Sequence, residues 1–230
     1  DMILGNYYIT IERADEPGEG RVFKNPNEAL MAYERREITQ HTRIAIPVSG
    51  FKYKLFTEEQ SDKYLVTTVG KLKFNEIFPD TFQYINEGTK ENIEGITPNK
   101  YFLAKGTNIK EAIKELELVK PFGKKVLTQL IAQIYKRYHT TETSIMLDKM
   151  KDLGFKESTL SGISIGIGDI IASKNKEKIL ADATEKVTQV NKQFKRGLIT
   201  DRERYEKVVK TWNNAKDEIA EELENIIKTN

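Results

Sequence analysis

Lys195-Arg196-Gly197-Leu198-Ile199-Thr200 is the stretch that decides the architecture of the C-terminal part of this sequence. Glycine readily adopts the left-handed conformation that ends a helix, so Gly197 is predicted to stop the helix before it. Thr200 followed by Glu203 is a capping-box pattern, which predicts that a second helix begins there. Two helices joined by so short a connection must pack antiparallel. The sequence therefore predicts a helical hairpin with this stretch at its tip.

Apolar residues recur at helical spacing on both sides of the tip. They form two seams: Ile179, Ala183, Val187, Val190 and Phe194, then Tyr205, Val208, Val209, Trp212, Ala215, Ile219, Leu223 and Ile226. We predict helices over about residues 174–196 and 201–227, each roughly 30 Å long. Tyr205 and Trp212 lie in register with the second seam, which favours packing between the helices over stacking against nucleic-acid bases.

The residues before the hairpin also have a helical pattern from Pro121 onward. One apolar stripe comprises Val126, Leu127, Leu130, Ile131, Ile134, Tyr135 and Tyr138. A further helix from about Thr141 to Leu153 is predicted to end at Gly154 in a left-handed cap.

The first half of the sequence is mixed. Tyr7–Ile11 is β-branched and aromatic, which predicts a strand, and Asn25-Pro26-Asn27-Glu28 predicts the start of a helix that runs to about Arg36. Residues 87–108 are interpreted as loop because glycine and proline are scattered among polar residues. Three extended runs predict a small antiparallel sheet: Thr42–Val48, Lys52–Phe56 and Tyr64–Thr68. The predicted fold class is α+β: a small mixed or antiparallel β-containing domain, then a helical domain that ends in the hairpin.

Composition excludes several classes of site. The 230 residues hold 37 Lys and Arg against 35 Asp and Glu, so the net charge of +2 is too small for a protein that coats nucleic acid with its whole surface. With no cysteine and two histidines, the sequence can form neither a disulfide, nor a thiolate metal site, nor a multi-histidine site. No apolar run is long enough for a membrane span, and no leader pattern is present. The opening Asp1-Met2-Ile3-Leu4-Gly5 is strand-like, and we expect it to be a cut through a longer polypeptide.

Five segments resemble the β′ subunit family of bacterial RNA polymerases, in the family's order and over essentially the whole chain. The longest is Thr67-Thr68-Val69-Gly70-Lys71-Leu72-Lys73-Phe74-Asn75-Glu76-Ile77-Phe78-Pro79. The others are Asp1–Thr10, Gln40–Ile44, Leu153-Gly154-Phe155 with Ser161–Ile170, and Gly197–Thr200 with Glu203, Arg204, Tyr205 and Trp212. The resemblance implies that Ser161–Ile170 is a strand and loop.

The resemblance implies a pore (secondary channel) domain over residues 1–145 and a funnel domain over residues 146–230, with the hairpin as the rim helices. In this family the channel admits nucleoside triphosphates and receives the 3′ end of a backtracked transcript. The rim hairpin docks Gre-type transcript-cleavage factors. The implied partners are the rest of β′, the β subunit and the other polymerase subunits. DNA, RNA and nucleotides are expected to bind only in the assembled enzyme, and no membrane is expected to be involved. The implied location is cytoplasmic and nucleoid-associated.

The resemblance also implies which residues carry these roles. The regulator-docking residues are Lys195, Arg196, Leu198, Arg204 and Tyr205, and the channel-loop residues are Ser164, Gly166, Gly168 and Asp169. The family usually has an acidic residue where this chain has Gly168, which weakens any role of the loop in supplying paired charges. The whole enzyme is a nucleotidyltransferase that uses Mg²⁺, but its aspartate triad lies outside this sequence. We therefore expect no catalytic residue, metal site or cofactor in this chain, and no activity from it alone.

Other interpretations remain open. Lys195 and Arg196 are explained equally well by solubility, and Gly166-Ile167-Gly168 lacks the further glycine and the lysine of a phosphate-binding loop. A stand-alone interaction module with a coiled-coil arm is the alternative function. A self-sufficient enzyme is the weakest, because the sequence shows no metal, nucleophile or acid–base cluster.

Overall fold

The computed structural model describes residues 1–52, 54–169 and 172–229. The chain divides into two compact units, Asp1–Ile163 and Ser164–Asn230. The functional division predicted at residue 145 falls within the last helix of the first unit and stays a prediction. Among the described residues, no helix combines the length and the apolar character that a membrane crossing needs.

The first unit contains a three-stranded antiparallel sheet in the order β1-β2-β3. Its strands are β1 (Arg43–Pro47), β2 (Tyr64–Thr68) and β3 (Phe102–Leu103). The strands predicted at Thr42–Val48 and Tyr64–Thr68 are confirmed, and so is the α+β class. The strand predicted at Lys52–Phe56 is wrong for its described residues, of which Leu55 forms only an isolated bridge.

The third strand instead comes from the segment interpreted as loop. Phe102 is buried and pairs with Leu65 of β2. Asparagine side chains hold the segment before it: Asn92 Oδ1 accepts hydrogen bonds from the N–H groups of Asn86 (2.9 Å) and Glu87 (3.1 Å). In the sequence these polar residues resemble a loop. In the structure their side chains form the hydrogen bonds that the buried backbone groups of a packed segment need.

The first unit also contains helices. They are α1 (Met2–Ile9), α2 (Pro26–Glu34), α3 (Glu58–Ser61), α4 (Val69–Asn75), α5 (Lys90–Glu94), α6 (Ile109–Glu115) and α7 (Lys124–Ser161). Helix α2 begins as predicted, with Pro26 in its first turn and Asn25 Oδ1 accepting a 2.9 Å hydrogen bond from the N–H of Glu28.

The strand predicted at Tyr7–Ile11 is wrong, because most of this segment belongs to α1, which also contains nearly all of the strand-like opening residues. Tertiary contact overrides strand propensity here. A Cβ on Gly5 would overlap the carbonyl oxygen of Gly154 in α7, so two glycines allow the helices to approach closely. Asn6 Nδ2 then donates a 3.1 Å hydrogen bond to the carbonyl oxygen of Met150.

Helix α7 is broken at His139, whose φ is 60°, so the predicted separation between two helices is confirmed. The end predicted at Gly154 is wrong. The helix continues to Ser161, and the left-handed cap is Gly162, with φ 62°. Gly154 serves the contact with α1, which a single sequence does not distinguish from a helix stop.

Two apolar clusters form the core of the first unit. One joins the sheet to α2 and α4 and includes Ala29, Ile44, Ile46, Leu65 and Leu72. The other packs an aromatic group against α7 and includes Phe74, Phe78, Phe82, Phe122, Leu127, Leu130, Ile134 and Met150. The predicted stripe on α7 therefore faces the core, except for the exposed Tyr135.

The long landmark Thr67–Pro79 is mostly buried. Thr68 caps α4 by accepting a hydrogen bond from the N–H of Lys71. The Lys71 side chain is fully buried, and its Nζ lies 2.5 Å from Glu12 Oε1. Glu12 Oε2 accepts a 2.9 Å hydrogen bond from the N–H of Val119, so one ion pair connects three distant parts of the unit.

The second unit is the predicted hairpin, formed by α8 (Lys176–Lys195) and α9 (Asp201–Thr229). The helices are antiparallel, because Asn175 at the start of α8 bonds to Glu222 near the end of α9. Ala183 and Ala215 are buried in the seam between them. The small buried surface agrees with a two-helix arm whose remaining faces are charged.

Candidate docking site at the hairpin tip

The tip turn is a Schellman motif, a compact helix end in which two backbone hydrogen bonds close over a left-handed residue. Gly197 has φ 72°, its N–H donates to Phe194 O (2.8 Å), and the N–H of Leu198 donates to Gln193 O (3.1 Å). This confirms the predicted stop at Gly197 and gives the tip a defined shape.

The capping box that begins α9 is also confirmed. The N–H of Thr200 donates to Glu203 Oε2 (2.8 Å), and the N–H of Glu203 donates to Thr200 Oγ1 (3.3 Å). The hydrogen bonds from the backbone and side chain of Thr200 lower the pKa of the Glu203 carboxyl. The carboxylate is thus held by the turn.

The tip exposes two adjacent cationic side chains, Lys195 and Arg196. Within the described part of the chain, neither takes part in an ion pair. Arg204 differs, because its guanidinium lies 2.7 Å from Asp201 Oδ1 and 5.2 Å from the centre of the Phe194 ring. Lys195 and Arg196 are therefore the cations at the tip that remain available to a partner, while Arg204 braces the hairpin.

Apolar side chains accompany these charges. Leu198 is 68% exposed and Tyr205 is 64% exposed, so the prediction that Tyr205 packs between the helices is wrong. Tyr205, Val209 and Trp212 are spaced as i, i+4 and i+7, and all three are exposed on α9. The predicted seam included too many residues, because in a two-helix arm only part of an apolar stripe packs against the other helix. Val209 is exposed for the same reason, which its apolar spacing in the sequence does not indicate.

Ser164, Gly166, Gly168 and Asp169, the residues predicted to form a channel loop, are exposed. Asp169 Oδ2 accepts a 2.7 Å hydrogen bond from the N–H of Gly166, which closes a single turn over Ile167–Asp169. The implied strand is wrong for residues 162–169, and Ile170 lies outside the described residues. The turn presents the Ile165 and Ile167 side chains to solvent.

No group of three or more His, Asp or Glu residues within residues 1–52, 54–169 and 172–229 is arranged to hold a metal ion. His41 packs within the fold. Its Nδ1 lies 3.1 Å from Ile11 O, and its ring contacts the Tyr8 ring edge-on. Burial lowers the pKa of His41, so the neutral ring is favoured.

Comparison with known proteins gives consistent matches. A family model described as RNA polymerase Rpb1, domain 3, matches residues 1–170. The chain is 58% identical over 223 residues to the DNA-directed RNA polymerase subunit beta′ of Geobacillus kaustophilus, and 53% identical over 223 residues to that of Bacillus subtilis. Each match covers 97% of this chain and 19% of the relative, so the chain spans about a fifth of the length of these relatives.

Proposed function

The chain belongs to the family described as RNA polymerase Rpb1, domain 3, and from that premise we propose that it works within the β′ subunit of a bacterial DNA-directed RNA polymerase. In this proposal the assembled enzyme carries out DNA-templated nucleotidyl transfer, and this chain contributes no metal ligand to the chemistry. The first unit and the loop at Ser164–Asp169 contribute to a secondary channel for nucleotides and for a backtracked RNA 3′ end. The hairpin is the rim on which a Gre-type factor docks.

One observation carries the docking proposal: the tip holds two available cations beside exposed apolar side chains on a rigid turn. Lys195 and Arg196 provide positive charge, which steers an acidic partner during encounter. Leu198 and Tyr205 provide apolar surface, and tyrosine and arginine are enriched among residues that dominate interface energies. Because the Gly197 turn and the Glu203 cap fix the geometry, binding does not have to order the tip first.

The isoleucines of the channel loop support the second part of the proposal. Ile165 and Ile167 are exposed at the turn that Asp169 closes, and this apolar surface would line a passage or contact a neighbouring subunit. The alternative of a stand-alone coiled-coil module is less well supported, because the relatives contain the segment as about a fifth of a larger subunit.

Binding of a Gre-type factor to polymerase reconstituted with this chain's sequence in β′ tests the docking proposal. Lys195→Glu with Arg196→Glu should weaken the affinity at least about tenfold, or about 1.4 kcal/mol. The matched control is Lys176→Glu with Lys178→Glu, which makes the same change in charge about 30 Å away at the other end of α8. Equal affinity for both double variants would remove the tip from the docking surface.

A further inference from the structure

Lys54 lies in the first unit and lines a cavity of about 200 Å³. Its lining includes the aromatic side chains of Phe51, Phe78 and Tyr84, together with charged residues. A cavity of this size exceeds the roughly 10–15 Å³ that one water molecule needs by the same measure. It can therefore hold a small group attached to the lysine nitrogen.

The ammonium group of Lys54 is poorly compensated. Its Nζ lies 3.5 Å from Phe78 O and 3.4 Å from Pro79 O, longer than the roughly 2.7–2.9 Å of a strong charge-assisted hydrogen bond. Among the described residues, Lys54 forms no salt bridge, although Glu76 and Asp80 line the same cavity. Burial lowers the pKa of Lys54 to about 8, against the smaller opposing influence of these two carboxyl groups.

A lysine in these surroundings is a nucleophile, because a desolvated amine is neutral at a pH where ordinary lysines are protonated. At pH 7.5, a pKa of about 8 leaves roughly a quarter of the amine neutral, compared with about one part in a thousand at the ordinary value of 10.5. The cavity also selects the electrophile. Glu76 and Asp80 disfavour an anionic acyl donor, while the aromatic walls favour a small uncharged one.

We propose that Lys54 is a site of N-acylation by small acyl thioesters. The neutral Nζ attacks the thioester carbonyl carbon, the new C–N bond forms, and the C–S bond breaks. The sulfur leaves with the bonding electron pair and takes up the proton that the nitrogen loses, so the products are an amide and a free thiol. No oxidant or reductant is required.

The modification should also relieve the cost of the buried charge. An acetamide is neutral, and its methyl group would fill part of the cavity between Phe51 and Phe78. Acetylated chain should therefore be at least as stable to heat as unmodified chain, whereas modification of a lysine held in a good ion pair would destabilise the fold.

The test treats the full chain at pH 7.5 with the acetyl thioester of N-acetylcysteamine, an uncharged donor. Peptide mass spectrometry then measures the acetylation rate at each lysine. Lys54 should react at least tenfold faster than Lys52, an exposed lysine that lines the same cavity. The Lys54 rate should rise with pH and level off above pH 8. A Lys54 rate no greater than that of Lys52 would overturn the proposal.

Further experiments distinguish the effect of the cavity on the Lys54 rate from the effect of the neighbouring sequence. Lys52→Arg should leave the Lys54 rate unchanged, and Lys54→Arg should remove that modified peptide without altering the circular dichroism spectrum. In concentrated urea the preference for Lys54 should vanish. A preference that persists in urea would contradict the role of the cavity.

Discussion

The ion pair between Lys71 and Glu12 makes the sharpest prediction about stability. Lys71→Met leaves the Glu12 carboxylate buried, with the N–H of Val119 as its remaining hydrogen-bond donor among the described contacts. Removing one partner of a buried pair costs about 3–5 kcal/mol, because the other charge stays desolvated. Burial also lowers the pKa of Lys71, although the adjacent Glu12 carboxylate favours its charged form.

The double variant Lys71→Met with Glu12→Gln should recover much of that loss. Glutamine is neutral, and its amide oxygen can still accept the hydrogen bond from Val119. The expected coupling between the two sites is therefore about 2 kcal/mol or more, within the range measured for contacting residues.

Urea unfolding followed by far-ultraviolet circular dichroism measures this coupling. The single tryptophan of the chain, Trp212, lies in the hairpin, so its fluorescence reports separately on the second unit. In Lys71→Met, the urea midpoint measured by fluorescence should shift less than the midpoint measured by circular dichroism. If Lys71→Met costs under about 1 kcal/mol, or if the double variant loses the sum of both single losses, the pair does not act as described.

Four other variants and one assay probe separate features. The difference in unfolding free energy between Lys54→Met and the native chain should change by about 1–3 kcal/mol between pH 8 and 10. Because the pKa of Lys54 is lowered in the folded state, the unfolded native chain binds more protons than the folded chain in this pH range, and the native chain gains stability as pH rises. A difference that stays constant with pH would contradict this. Gly5→Ala should unfold at lower urea than the native chain because its Cβ overlaps Gly154, whereas Gly168→Ala, with open space around it, should change little. Val208→Pro should cost about 3 kcal/mol or more in the hairpin, measured by Trp fluorescence. With template and magnesium, the isolated chain should incorporate no nucleotide, and any turnover would overturn the assignment of catalysis to other segments.

Local signals predicted the hairpin well. A left-handed glycine and a capping box depend on a few neighbouring residues, so Gly197, Thr200 and Glu203 fix the tip without help from the rest of the fold. The sequence also predicted the break in α7, although the glycine that ends the helix is Gly162 and not Gly154.

Long-range contacts account for the errors. Residues 2–9 have strand propensity, but the fit of Gly5 against α7 makes them a helix. The third strand is short, and it forms only because Phe102 finds β2 as a partner. Lys54 gave no signal in sequence, since its environment is built by Phe78 and Tyr84, which are distant in the chain.

The most direct test of the central claim measures transcript cleavage in backtracked complexes as a function of Gre-type factor concentration. Polymerase with Lys195→Glu and Arg196→Glu should need at least about tenfold more factor for half-maximal cleavage, with the same maximal rate and near-normal elongation. The Lys176→Glu, Lys178→Glu control should behave like the native enzyme. An unchanged half-maximal concentration for the tip variant would contradict the account of the hairpin as a docking rim.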